Sequence, residues 1–149
     1  MTKEVIVQIK SMQALQEGVD PEPLCIITMG KYSCVNHNHV LVYDEMMSDD
    51  VKDVTTNYVK IKEDVYEVKK KGLANTQMIF EKGKKTFTEY ETPYGTMFLG
   101  ITTIDQSCQL TDDSIRILIS YALEINGGLV GDCRIEITAK TKNKEALLS

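Results

Sequence analysis

The chain has 149 residues, 42% hydrophobic and 26% charged, a balance that suits one globular domain with a single core and argues against a disordered chain. A net charge of −5 argues against a reader of nucleic-acid backbones, which needs a basic face. No stretch approaches the ~20 apolar residues of a membrane span, nor does the start resemble a secretory leader, so the expected setting is the reducing cytoplasm with no membrane partner.

Short runs rich in Val, Ile, Thr, Tyr and Phe recur between clusters of Gly, Asn, Asp and Pro, the pattern of a β-sandwich or barrel. Strands are predicted at 4–12, 24–32, 40–47, 54–62, 65–71, 76–81, 86–92, 96–104, 114–125 and 129–141. The only plausible helical pieces, 11–17 and 46–54, keep no apolar stripe. Short links imply hairpins between successive strands, and a long meander avoids bare edges most simply by closing on itself. The expected fold class is therefore all-β: one antiparallel barrel of about 8–10 strands over residues 1–141. A polar tail is expected at 142–149.

In chain order, Cys25 and Cys34 come first. With Cys108 and Cys133 they are too scattered for a zinc or redox pair and read as free, buried thiols. His37 and His39 fall in an Asn-His-Asn-His stretch that offers at most two metal ligands and reads as a surface turn. Asp44, Glu45, Asp49, Asp50 and Asp53 lack calcium-loop spacing, are partly offset by Lys52, and read as a solvated loop. Facing residues of a hairpin share a face, so a two-residue Glu63-Asp64 loop sets Ile61 opposite Tyr66 and Val59 opposite Val68. Lys69, Lys70 and Lys71 would lie about 20 Å from Lys82, Lys84 and Lys85 at ~3.3 Å per residue. They read as solvated turn lysines and not as one nucleic-acid face. Beyond Lys82-Gly83-Lys84 parity does not choose: either Phe87 with Glu89 or Thr88 with Tyr90 faces inward.

Tyr90-Glu91-Thr92-Pro93-Tyr94-Gly95 reads as a turn, with Pro93 presetting φ and Gly95 closing it. Its tyrosines and threonines make a credible polar rim for a barrel mouth. In the last hairpin Ile115, Ile117, Ile119, Tyr121 and Leu123 form an inward odd-numbered set. A three-residue Asn126-Gly127-Gly128 loop places Tyr121 opposite Cys133 and Ile119 opposite Ile135, with Gly128 in the left-handed position. No nucleophile elbow, phosphate loop or Cys–His spacing is present. Glu89 and Glu91 would lie about 7 Å apart on one strand, whereas acid–base pairs usually face each other across a substrate.

The stretch from Asn75 to Gly83 (Asn-Thr-Gln-Met-Ile-Phe-Glu-Lys-Gly), then Tyr90 to Gly95, Thr102-Thr103, Tyr43-x-Glu45, Thr55-Thr56 and the Asn126-Gly127 hairpin together resemble the YwiB-like family of bacterial proteins. The likeness spans nearly the whole chain. It implies a domain of unknown function with a calycin-like (lipocalin-type) barrel in a bacterial cytoplasm. Where relatives often carry arginine just before the glycine that ends the fifth strand, this chain has Lys70, whose point charge lacks the planar fork of a guanidinium.

The expected role is a noncatalytic barrel, without metal or cofactor, that binds a small molecule or short peptide at its mouth. The alternative is a protein-interaction module with a filled interior. A pocket is expected to be lined by Tyr43, Glu45, Tyr90, Thr92 and Tyr94. Glu45 would favour a ligand with a donor or positive charge, unless burial keeps its carboxyl neutral.

Overall fold

Alternation of apolar and polar residues builds ten strands in the computed structural model, which describes residues 2–13, 24–46, 53–142 and 146–147. They are β1 (Thr2–Gln13), β2 (Leu24–Val35), β3 (Asn38–Met46), β4 (Val54–Ile61), β5 (Tyr66–Gly72), β6 (Thr76–Phe80), β7 (Lys85–Thr92), β8 (Gly95–Leu110), β9 (Ser114–Ile125) and β10 (Gly128–Thr141). One antiparallel sheet runs β6-β5-β4-β3-β2-β1-β10-β9-β8-β7 and curls into a nearly closed barrel, consistent with the calycin-like architecture. β1 is shared: Val7 faces Thr28 on β2 and Ala139 on β10. The inward faces supply the core, including Val5, Val7, Leu41, Val59, Phe80, Ile101, Ile117 and Ile137. No helix among the described residues is long and apolar enough to cross a membrane.

Both registers reasoned from parity are present. Ile61 faces Tyr66 and Val59 faces Val68. Tyr121 faces Cys133, and Ile119 faces Ile135. The device at the last turn differs from expectation. Asn126 and Gly127 alone form it, both with positive φ (51° and 86°), while Gly128 already pairs with Ile125. The extra residue sits further on, as a bulge between Leu129 and Gly131, and Gly131 takes the positive φ (142°). A two-residue turn of this hand matches strand twist, and the bulge restores the parity that the turn alone would break. Asn126 is also held from β8: its N–H donates to Phe98 O at 2.7 Å, and its side chain accepts from Phe98 N at 3.0 Å.

Other expectations are corrected. β8 runs six residues past its predicted end, because a bulge between Thr103 and Asp105 flips its parity and turns Gln106 and Cys108 inward against Ile119 and Ile117. Polar Asp105, Gln106 and Ser107 hide that continuation from a pattern search. Asn36 and His37 form the β2–β3 turn, with φ of 51° and 66°, so His39 lies on the strand and not in a surface turn. Cys25 is exposed, Cys34 and Cys108 are half-buried, and Cys133 is buried. Of the two helical candidates, residues 11–13 belong to β1, while 14–17 and 47–52 lie outside the described residues. Within the segment expected to be a polar tail, Leu147 is buried, and its N–H donates to Asp112 O at 2.8 Å.

β6 and β7 are joined by the turn at 81–84 but share no continuous ladder. Asn75 and Glu91 exchange two main-chain bonds, each 2.9 Å, and there the pairing stops. Two threonine hydroxyls reach across instead: Thr76 Oγ1 donates to Glu89 O at 2.8 Å, and Thr86 Oγ1 to Ile79 O at 2.9 Å. The choice left open by parity is settled here. Thr86, Thr88, Tyr90 and Thr92 turn inward, leaving Phe87 exposed. Replacing Thr76 by Val should cost about 1 kcal/mol in urea unfolding, with a smaller loss for Thr86→Val at its more exposed site. In amide exchange, Gln77 and Phe87, whose N–H groups point into this seam, should lose protection well before Val59 and Ile117.

Candidate functional site

The inward positions of β3, β4, β5 and β6 run side by side as Tyr43, Asn57, Lys70 and Thr76, because each strand pair holds them in register. One step toward the mouth lie Glu45 and Thr55. A band of polar groups thus occupies the inside of the barrel wall. Asn57 and Thr55 are fully buried, and the side chains of Lys70 and Glu45 are 17% and 24% exposed.

Lys70 Nζ donates to Glu45 Oε1 at 3.2 Å and to Asn57 Oδ1 at 2.7 Å, while Asn57 Nδ2 donates to the same Glu45 oxygen at 3.4 Å. The amide therefore reads both members of the ion pair and fixes their geometry. Sheltered charges of this kind persist only when paired and hydrogen-bonded. Thr55 Oγ1 accepts from Ala74 N at 3.2 Å, which binds the end of β5 to β4. Position 30 has no room for a side chain: a Cβ on Gly30 would stand 2.7 Å from Val42 O, 2.8 Å from Val7 Cγ2 and 3.2 Å from Tyr43 Cβ. Burial, then the nearby Glu45 carboxylate, pushes the phenols of Tyr43 and Tyr90 up from their ordinary range.

Beside this band lies a cavity of about 110 Å³. Its apolar wall comes from Ile9, Ile26, Val68, Met78, Ile135 and Ile137, and its polar end from Tyr43, Glu45, Lys70 and Ser11. Glu45 Oε2, one Lys70 N–H and the hydroxyls of Tyr43 and Tyr90 have no hydrogen-bond partner among the described residues. An apolar chamber ends in unspent donors and acceptors.

Of the five residues expected to line a pocket, Tyr43 and Glu45 line this cavity, and Tyr90 faces inward toward Glu45. Thr92 instead spends its hydroxyl on the turn, donating to Gly95 O at 2.9 Å and accepting from Tyr94 N at 3.2 Å. Tyr94 is wholly exposed. Two residues were missed. Asn57 stands two residues before the inward Val59, and Lys70 two residues after the inward Val68, so the same alternation that set the register also places them inside. Lys70 is thus no solvated turn lysine, and Glu45 belongs to a strand and not to a solvated loop. The other lysine cluster meets acids one by one: Lys82 pairs with Asp105 at 3.4 Å, Lys84 with Glu81, and Lys85 with Glu124 at 2.9 Å.

At the other end of the barrel the buried Tyr32 hydroxyl lies 2.6 Å from His39 Nδ1, with the two rings stacked at 5.9 Å. Burial, then the neighbouring His37, lowers the pKa of His39 below its ordinary 6.5. Among the described residues no group of three His, Cys, Asp or Glu side chains gathers as a metal site.

A family model described as a domain of unknown function, DUF1934, matches residues 7–137. The crystal structure of the ywiB protein from Bacillus subtilis aligns with a TM-score of 0.78 at 20% sequence identity, covering 95% of this chain and 94% of that one. That likeness shows a shared fold. No curated protein matches the chain.

Lys70→Met should destabilise the protein by about 2 kcal/mol, less than the ~3–5 kcal/mol of a fully buried pair because the pair is partly solvated. The Glu45→Gln/Lys70→Met double variant should lose less than the sum of the single losses in a double-mutant cycle. For His39 the unfolded chain takes up the proton first, so its contribution is complete above pH 6.5 and fades as pH falls below it. Urea unfolding between pH 7.5 and 5 should show that decline, flattened in His39→Gln.

Proposed function

The chain belongs to the DUF1934 family, domains of unknown function, and we propose that it is a noncatalytic binding protein that holds a small molecule inside one mouth of its barrel. The observation that carries this reading is the cavity itself, apolar on its walls and closed at one end by Tyr43, Glu45 and Lys70 with unspent hydrogen-bonding capacity. Binding sites are mostly apolar with a few placed polar groups, and this one has that composition. At about 110 Å³ it is smaller than the ~150 Å³ engineered cavity that holds benzene, so the ligand, or the part of it that enters, has only a handful of non-hydrogen atoms. A noncatalytic role fits the groups present. Lys70 is held in its pair with Glu45, and the phenols of Tyr43 and Tyr90 are pushed away from neutral pH instead of toward it. Four unbridged cysteines suit work in a reducing cytoplasm.

A second reading, a protein-interaction module, has one observation in its favour. On the outer wall Phe87 and Phe98 are 76% and 57% exposed, and they flank a depression floored by Gly100. The two readings separate in a thermal-shift screen of compounds with up to about eight non-hydrogen atoms. Under the binding reading at least one compound raises Tm by mass action. Val68→Phe, which fills the chamber, abolishes the shift, and Tyr43→Phe weakens it, while a Phe87→Ser/Phe98→Ser double variant keeps it. A screen with no shift, or one that survives Val68→Phe, would overturn the binding reading.

A further inference from the structure

Resting on the reading that this cavity binds a small molecule, we infer that its ligand is electrically neutral, a short apolar body ending in an uncharged head, such as a primary amide, that both donates and accepts hydrogen bonds. The cavity wall carries two charged residues among the described ones, Glu45 and Lys70, and they already cancel each other at 3.2 Å. Everything else on the wall is apolar or a hydroxyl: Ile9, Val68, Met78 and Ile137 on one side, Ser11 and Tyr43 on the other. Asn57, wholly buried behind the pair, spends its oxygen on Lys70 and an amide hydrogen on Glu45, which holds the two charges together.

The unspent groups lie on both members of the pair. A carboxylate could take the free N–H of Lys70 but would sit beside Glu45 with no cation left for it. An ammonium could take Glu45 Oε2 but would sit beside Lys70. Either ion leaves the chamber with one uncompensated charge, and burying such a charge is costly. A primary amide leaves the charge balance intact, with its oxygen accepting from Lys70 and its N–H donating to Glu45. The phenol of Tyr43, kept protonated by burial and by Glu45, lines the same wall and can donate to or accept from such a head. The sequence shows Glu45 without its partner and so favours a ligand with a donor or a positive charge. With Lys70 beside it, the donor still has a place and the charge does not.

The test uses three probes with a common four-carbon skeleton, butanamide, butanoate and butylammonium, titrated at pH 7 into the full chain while backbone amide resonances are followed. In the native protein butanamide should bind at least tenfold more tightly than either ion. Glu45→Gln leaves Lys70 unpaired and should move the preference to butanoate. Lys70→Met leaves Glu45 unpaired and should move it to butylammonium. The Glu45→Gln/Lys70→Met double variant is neutral again and should keep amide first, so native and double variant decide the matter if a single variant fails to fold. An ion ranked first by the native protein, or a ranking unmoved by the single variants, overturns the neutral-ligand inference while leaving small-molecule binding in place. If no probe moves the resonances of Ile9, Val68 or Ile137, the binding reading fails, and this inference falls with it.

Discussion

A residue on a β-strand faces either the barrel interior or water, and a ladder transmits that choice to every strand paired with it. The polar band exists because Tyr43, Asn57, Lys70 and Thr76 are successive partners across three ladders. None of them could leave the interior alone. Moving Lys70 outward would need a one-residue slip of β5, which would carry Tyr66 and Val68 into water as well. The apolar residues of β5 therefore hold a lysine inside. Burying those two apolar side chains is worth roughly 1.5–3 kcal/mol each, enough to outweigh a sheltered charge once Glu45 and Asn57 have satisfied it.

The same constraint relaxes at the seam. From Asn75 and Glu91 onward, β6 and β7 stop exchanging main-chain bonds, and inward threonines supply hydroxyls to carbonyls that a ladder would otherwise satisfy. A hydroxyl bridge tolerates a wider spacing than an amide–carbonyl pair, so the barrel closes without a tenth complete ladder. The polar band ends at this seam, where Thr76 carries one of the bridges and Tyr90 projects inward from the far side. The longest ladders, those of β1 and of β9 with their neighbours, lie elsewhere on the circumference.

Much of the fold was legible in the sequence, because side-chain period and hairpin parity are local properties. Val59 and Ile61 against Tyr66 and Val68 left a single consistent loop. The last hairpin had its register read correctly through the wrong turn, since parity counts residues but does not say where the extra one sits. The β8 bulge was illegible because it exchanges an apolar inward set for Gln106 and Cys108. The site was legible in part. Tyr43, Glu45 and Tyr90 were chosen for their chemistry and do face the interior. Lys70 is hidden in the sequence because three adjacent lysines read as one solvated group, although alternation gives the middle one the opposite face from its neighbours. Tyr94 was judged by its aromatic character, while its place at the tip of a turn put it in water.

The turn at 81–84 is the direct chain link across the seam, and its Gly83 and Lys84 extend the β7–β8 pairing by two main-chain bonds to Thr103 without joining β6 to β7 in a ladder. β1 to β6 are held to one another by their own hairpins, β7 to β10 by theirs, and the two halves meet through the β1–β10 ladder, the shared core and the few bonds of the seam. A protease nick at Gly83 would leave every one of those pairings in place. Every continuous ladder thus lies within one of two chain segments or in the single β1–β10 contact between them, a division of the polypeptide that coincides with the seam of the barrel.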